Sequence, residues 1–122
     1  MNGGMPFNKS GRISEVMVHK VIILKRALAQ FQSICDYLVD EFGERTADNF
    51  EFEVDNCVAT LKEFPESGHI EPIPSKYQYR SKIVGKYNKL FYFVDHNTLV
   101  VAAFADMRMH PDNVLKSVIG KI

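Results

Sequence analysis

The chain lacks the features that mark several large classes of protein. It has two cysteines, no tryptophan and no excess charge, with 15 lysines and arginines against 15 aspartates and glutamates in 122 residues. Both cysteines lie inside helical patterns, unlike those of a disulfide-rich secreted protein. Apolar runs such as 99–105 are far shorter than the roughly 20 residues of a membrane-spanning helix. The N-terminus shows no apolar region of a signal peptide. We therefore predict a cytoplasmic protein of one domain, with no membrane partner.

Residues that hold metals or cofactors are also sparse and badly spaced. None of the four histidines stands at metal-ligand spacing with a cysteine or carboxylate. The chain has no glycine-rich phosphate loop and no Ser/His/Asp arrangement. Cys35 and Cys57 fall on the inner faces of two predicted helices, where reduced thiols are expected. The sequence therefore predicts neither a metal nor a cofactor.

What the chain does have is a clear order of helix and strand patterns. Residues 1–16 show no periodicity and are predicted to be a disordered extension, which leaves 17–122 as the folded domain. Two amphipathic helical patterns joined by a very short connection predict an antiparallel hairpin. The predicted elements are a strand at 18–24, helices at 27–42 and 46–64, strands at 77–84, 87–94 and 98–105, and a helix at 113–119. This order, β-α-α-β-β-β-α, predicts an α+β fold with a small, largely antiparallel sheet packed against the helical hairpin.

The neutral total charge conceals an uneven distribution along the chain. Residues 36–71 are rich in acids, whereas 76–90 contain five basic residues and no acid. A local basic face is therefore compatible with a net charge of zero. The alternative is an ordinary solvated surface on which lysines protect the sheet from aggregation.

Strand alternation predicts which of these cations share a face. If Gly85 and Lys86 form a two-residue turn, Lys82 lies opposite Lys89. A second two-residue turn at 96–97 would then place Lys89 opposite Phe104. Under this register one face of the sheet holds Arg80, Lys82, Lys89 and Arg108. The other face, predicted to pack on the hairpin, holds Ile83, Leu90, Tyr92, Val94, Leu99, Val101 and Ala103. A slip of one residue would undo the arrangement.

Several segments in this order resemble the RelE/ParE superfamily of bacterial toxins. They are KRALAQF, YLVDEFGERTADNF, LKEFPESG, YRSKIVGKYNKLFY and FADMRMHPD. They are similar to that family's helix hairpin, Pro-Gly loop, Tyr-Arg strand, Gly-x-Tyr turn, Leu-x-Tyr strand and terminal Asp-x-Arg. The resemblance runs from about residue 18 to the C-terminus. It implies the toxin of a type II toxin–antitoxin (plasmid stabilisation) module with an α+β fold.

The resemblance implies two alternative mechanisms, since RelE-like toxins cut messenger RNA on the ribosome and ParE-like toxins poison DNA gyrase. Carried over by position, Arg80, Lys82, Lys89 and Arg108 would hold the scissile phosphate of a metal-independent endoribonuclease. His110 is the candidate for proton transfer, because no tyrosine follows Tyr92. Whether the protein is an enzyme stays open. The alternatives are a non-enzymatic protein-binding module and a decayed toxin that binds only its antitoxin.

The partners implied by the resemblance are a cognate antitoxin and a target, either the ribosome with its mRNA or DNA gyrase. The antitoxin is expected to place an amphipathic segment in an apolar groove, as a docked helix or an added strand. Without antitoxin, an exposed apolar patch is expected to drive self-association as a homodimer.

Overall fold

The computed structural model describes residues 18–120, which form five strands and three helices. The strands make one sheet, and helices pack on both of its faces. The elements are β1 (Lys20–Ile23), α1 (Lys25–Phe42), α2 (Glu44–Glu63), β2 (His69–Ile70), β3 (Arg80–Val84), β4 (Asn88–Asp95), β5 (Thr98–Asp106) and α3 (Pro111–Ile119). The predicted α+β class is confirmed. The predicted extension at 1–16 lies outside the described residues. Within the described part, no helix combines the length and hydropathy needed to cross a membrane.

The five strands form one mixed sheet in the order β1-β5-β4-β3-β2. β1 runs parallel to β5, and the remaining neighbours are antiparallel. The sequence prediction missed β2, which pairs His69 with Ser81 and Ile70 with Arg80. Two residues inside a loop with three prolines are too few to produce an alternating pattern.

The hairpin of α1 and α2 forms because each helix carries an apolar stripe at helical spacing. Gly43 joins the helices with φ of 95°, a conformation that favours glycine, and its N–H donates to Val39 O. Phe64 follows the last turn of α2, and Pro65 keeps the helix from continuing. Phe42 at the end of α1 and Phe64 just after α2 continue the spacing of these stripes but are exposed.

Two apolar cores lie on opposite faces of the sheet. The first packs the hairpin onto the strands and includes Ala27, Phe50, Val54, Leu61, Val84, Leu90, Tyr92, Leu99, Val101 and Phe104. The second packs α3 and the loop before β3 onto the other face, and includes Tyr79, Phe91, Phe93, Val100, Ala102, Ala103, Ala105 and Val118. Ile83 and Ala103 were predicted on the hairpin side, but Ile83 is exposed and Ala103 lies in the second core.

The register between β3 and β4 differs by one residue from the predicted one. Val84 pairs with Asn88, so the turn has three residues, and Lys82 lies opposite Leu90 instead of Lys89. The turn starts at Gly85 with φ of 64°, and a Cβ there would come within 2.9 Å of the Phe50 ring. The turn therefore packs tightly on α2, and a bulkier first residue would not fit.

The register between β4 and β5 is only partly as predicted. The two-residue turn at 96–97 is confirmed, because Asp95 pairs with Thr98 and Phe93 with Val100. A bulge between Phe91 and Tyr92 then shifts the pairing, so Lys89 lies opposite Ala105. The predicted shared face of the four cations was therefore wrong: Arg80 and Lys82 lie on the hairpin side, and Lys89 lies on the other.

Candidate functional site

Arg80 lies on β3 and fastens the loop between α2 and β2. Its Nη1 donates to the carbonyl oxygens of Glu66 and Gly68, both at 2.9 Å. Its Nη2 lies 3.4 Å from the side-chain oxygen of Gln78. By bridging two backbone carbonyls, the guanidinium stabilises the conformation of this loop.

Tyr92, directly opposite Arg80 on β4, holds the same loop from inside the core. Its hydroxyl donates to Pro65 O at 2.7 Å and accepts from Gly68 N at 3.0 Å. The side chain is fully buried, and burial raises the pKa of its hydroxyl. A Cβ on Gly68 would collide with this hydroxyl, which explains a glycine at that position.

Lys89 lies on the opposite face and is paired with a carboxylate. Its Nζ lies 2.9 Å from Glu71 Oε2, and the buried Ser81 hydroxyl donates to the same oxygen at 2.6 Å. Burial alone would raise the pKa of Glu71, but hydrogen bonds from Ser81 and Lys89 outweigh burial and lower it. The three side chains therefore form a satisfied polar cluster beside the second core.

Lys82 lies on the hairpin side of β3 and makes no hydrogen bond or ion pair with any residue of 18–120. It lines a cavity of about 360 Å³ with Cys57, Glu53 and Thr60 from α2. Burial raises the pKa of the Cys57 thiol despite the nearby ammonium. Both Cys57 and Cys35 are free, half-buried thiols.

Arg108, just after β5, contacts a carboxylate and an aromatic ring. Its Nε and Nη2 donate to the two carboxylate oxygens of Asp106 at 3.0 and 2.6 Å, and its own backbone N–H bonds the same carboxylate. The guanidinium also lies 4.0 Å from the centre of the Tyr87 ring. Hydrogen bonding from Arg108 lowers the pKa of Asp106. The cation is thus held in one orientation beside a carboxylate, although its side chain remains 57% exposed.

His110 begins α3 as its N-cap. Its Nδ1 accepts a hydrogen bond from the backbone N–H of Asp112 at 3.1 Å, and Pro111 occupies the first helical position. The Asp112 carboxylate lies 3.8 Å from the same nitrogen. This arrangement orients the ring toward its own helix, so the local role of His110 is to start α3.

The sequence predicted an apolar groove without its position, and the structure places one between the helical hairpin and the end of the sheet that carries the 85–88 turn. It has a volume of about 1050 Å³ and is bounded by both hairpin helices, the 85–88 turn, the end of β5 and residues 108–109. Its interior is apolar, with Leu38, Phe50 and Phe104. Tyr37, Phe42, Tyr87 and Met109 are the more exposed aromatic and thioether side chains in its lining. Long-range packing creates this groove, so no local pattern could indicate where it lies.

A known protein family matches most of the chain. Residues 21–111 match the family described as "ParE toxin of type II toxin-antitoxin system, parDE". The chain belongs to the ParE toxin family. The fold agrees with a solved structure entitled "Chromosomal ParDE TA system from P. aeruginosa". That structure has 16% sequence identity and a TM-score of 0.62, over 78% of this chain and 100% of the other. None of the curated protein sequences matches the chain.

Membership of the ParE toxin family confirms the predicted RelE/ParE relationship and implies a cognate antitoxin as partner. The five residues predicted as a catalytic site do not converge. Arg80 and Lys82 lie on the hairpin side of the sheet, Lys89 lies on the other side, and Arg108 and His110 follow β5. Among the residues from 18 to 120, no group of three His, Cys, Asp or Glu side chains is arranged to hold a metal.

Proposed function

We propose that this ParE-family protein is the cytoplasmic toxin of a toxin–antitoxin module that arrests growth by binding and poisoning DNA gyrase, without cutting RNA. One observation carries the proposal. The cations that the superfamily resemblance would place around a scissile phosphate lie apart, and three of the four are already engaged by groups of the protein itself.

Cleavage of RNA through attack by a 2′-hydroxyl develops charge on one phosphate, and several donors must be aimed at it in advance. Here the Arg80 guanidinium is bonded to two loop carbonyls, and the Lys89 ammonium is bonded to Glu71. Arg108 is bonded through two nitrogens to Asp106. Redirecting these groups toward a phosphate would break hydrogen bonds that the fold uses, and the donors would approach from two faces of the sheet.

A nuclease of this type also needs a group that moves a proton near the reacting phosphate. No tyrosine follows Tyr92 in the sequence, and His110 uses Nδ1 to cap α3. This supports a toxin that acts by contact with a protein.

The groove supports contact with proteins as well. Exposed aromatic, methionine and arginine side chains are the types enriched at the centres of protein interfaces, and the groove lining supplies Tyr37, Phe42, Tyr87, Arg108 and Met109. A helix about 10 Å wide with a rise of 1.5 Å per residue would fill about 1050 Å³ with roughly two turns. We propose that the antitoxin docks an amphipathic helix here.

The test is induced expression without antitoxin, with two readouts in the same cells. The proposal predicts growth arrest with gyrase covalently trapped on broken chromosomal DNA, and no new 5′ ends at A-site codons in ribosome-bound mRNA. Lys82→Ala should arrest growth like the wild type, because this cation has no role in the proposed mechanism. Arrest with codon-specific mRNA ends and intact DNA would overturn the proposal, and absence of arrest would indicate a decayed toxin.

A further inference from the structure

The end of the helical hairpin carries a strongly acidic surface. Residues 36–55, which run from the second half of α1 through Gly43 into α2, contain eight acidic residues and one basic residue. All eight acids are exposed. Among residues 18–120, none of their carboxylates lies within ion-pair distance of a cation. The described part of the fold therefore leaves this negative charge uncompensated.

An exposed aromatic side chain lies among these acids. Phe50 and Val54 face the sheet and are buried, and Phe52 is two positions from each, so it points away from the sheet. Phe52 is 66% exposed. Asp48 and Asp55, four residues before it and three after it, are its neighbours on the helix surface. The outer side of α2 thus presents an apolar ring between two carboxylates.

The helix α1 contributes carboxylates to the same surface. Burial raises the pKa of the Cys35 thiol on α1. The negative charges of Glu51, Asp36 and Asp48 raise this pKa further, so acids of both helices lie near one thiol. Val39, one turn after Cys35, adds a second exposed apolar side chain. The acidic face is defined by these neighbouring residues of the two helices: Asp36, Val39, Asp40, Asp48, Glu51, Phe52 and Asp55.

The spacing of these carboxylates is unfavourable for the isolated chain. Asp36 and Asp40 are four residues apart on α1, and Glu51 and Asp55 are four residues apart on α2. Like charges at this spacing repel each other and destabilise a helix. A cationic partner would offset the repulsion and add attraction of its own. The acidic face is therefore complementary to a basic surface.

The same charges disfavour two other kinds of partner. Nucleic acid is a polyanion, so its phosphates would be repelled. A second copy of this chain would place acids against acids, with Arg45 as the one cation in residues 36–55. An enzyme that binds DNA carries lysines and arginines, because it has to neutralise phosphates. The partner that fits is thus a cationic protein surface with an apolar pocket for Phe52.

We propose that the toxin binds DNA gyrase through the acidic face, which docks on a cluster of lysines and arginines of the kind that holds DNA. This rests on the gyrase target of the proposed function and names the contact which that function needs. Phe52 fills an apolar pocket at the centre of the contact, and the surrounding carboxylates pair with the cations. The groove lies at the same end of the hairpin, so an antitoxin seated there would obstruct a partner as large as gyrase.

The experiment measures binding of the full-length toxin to immobilised DNA gyrase by surface plasmon resonance. Asp48→Asn combined with Asp55→Asn keeps the shape of the acidic face and removes two charges, so gyrase affinity should fall about tenfold or more. This variant should fold normally, because it relieves repulsion. The matched control is Glu63→Gln combined with Asp112→Asn, which changes the net charge equally at exposed positions away from the face. Its gyrase affinity should change by less than about twofold.

Further measurements separate the apolar part of the contact from its charge. Phe52→Ala should weaken gyrase binding about tenfold or more, whereas Phe64→Ala, at a residue 61% exposed just after α2, should have little effect. The wild-type affinity should fall between about 50 and 300 mM salt, more steeply than that of the double Asn variant. The small protein encoded by the adjacent gene, used as the antitoxin probe, should bind every variant as tightly as the wild type.

The possible failures can be told apart. Equal gyrase affinity of the wild type and the double Asn variant, or equal losses in that variant and its control, would exclude the acidic face and leave the gyrase target intact. Loss of antitoxin binding without loss of gyrase binding would assign the face to the antitoxin instead. No binding of the wild-type toxin to gyrase would overturn the proposed function and this inference together.

Discussion

Arg80 and Tyr92 lie opposite each other across β3 and β4 and fasten the same loop from two sides. Arg80 bonds the carbonyls of Glu66 and Gly68, and Tyr92 bonds the carbonyl of Pro65 and the amide of Gly68. Four hydrogen bonds thus hold three residues of this loop, Pro65, Glu66 and Gly68. Arg80, which the superfamily resemblance assigned to a phosphate, therefore stabilises this loop together with Tyr92.

Loss of the hydrogen bonds that Arg80 or Tyr92 makes to this loop should lower the stability of the fold. Arg80→Ala removes two charge-assisted hydrogen bonds, and Tyr92→Phe leaves a buried carbonyl and a buried amide without a partner. We expect each to lower the free energy of unfolding by about 1–3 kcal/mol. Urea unfolding followed by circular dichroism measures the difference. Lys82→Ala is the control, because Lys82 has no polar partner in residues 18–120, and a loss as large as that of Arg80→Ala would contradict the assignment.

Gly68 should tolerate no side chain while the Tyr92 ring is in place. A Cβ would meet the hydroxyl and also lie 2.7 and 2.9 Å from two ring carbons. Gly68→Ala should therefore be destabilising, by about 1–3 kcal/mol as for overpacking in a core. Tyr92→Phe in the same chain should relieve only part of the clash, so the two losses should not add. Strict additivity in a double-mutant cycle would show that the two residues are not in contact.

The Glu71 cluster should make stability depend on pH in acid. The folded-state pKa of Glu71 lies below its unfolded value, so its contribution is present above the unfolded pKa and is lost as pH falls through the folded pKa. Stability should therefore drop as pH is lowered below the usual glutamate range. Glu71→Gln should flatten that part of the profile relative to the wild type. Thermal unfolding from pH 7 to pH 3 measures it, and parallel profiles would refute the role of Glu71.

The groove proposal can be tested with two phenylalanines of similar exposure. Phe42 lines the groove and is 64% exposed, whereas Phe52 is 66% exposed on α2 and does not line it. Phe42→Ala should weaken antitoxin binding by about 1 kcal/mol or more, because aromatic anchors dominate such interfaces. Phe52→Ala should bind normally, and both should fold with near-wild-type stability. Calorimetric titration measures the affinities, and equal effects of the two changes would exclude the groove.

Much of the fold could be predicted from the sequence, because helix and strand periodicities are local. The bounds of both hairpin helices were predicted to within two residues, and the turn at 96–97 was predicted correctly. The predicted cation cluster failed because it depended on the length of the turn at Gly85 and on the bulge at Phe91. These depend on packing against α2 and β5, which no local pattern encodes. One extra turn residue moved Lys82 and Lys89 to opposite faces.

The roles of the site residues were harder to predict than their positions. Nothing near Arg108 in the sequence distinguishes a phosphate ligand from a partner of Asp106, since both need the same residue types. His110 before Pro111 does carry a local signal, because a polar residue before a proline often starts a helix. The position of the groove is a product of tertiary packing, visible only once the elements are assembled.

The most direct test of the central claim uses purified toxin, purified DNA gyrase and supercoiled plasmid, with a ribosome-bound mRNA reaction beside it. If the toxin poisons gyrase, it should convert plasmid to the linear form only in the presence of gyrase, its antitoxin should prevent this, and the mRNA should stay intact. Intact plasmid together with mRNA cut at A-site codons, and loss of cutting in Arg108→Ala, would contradict the account.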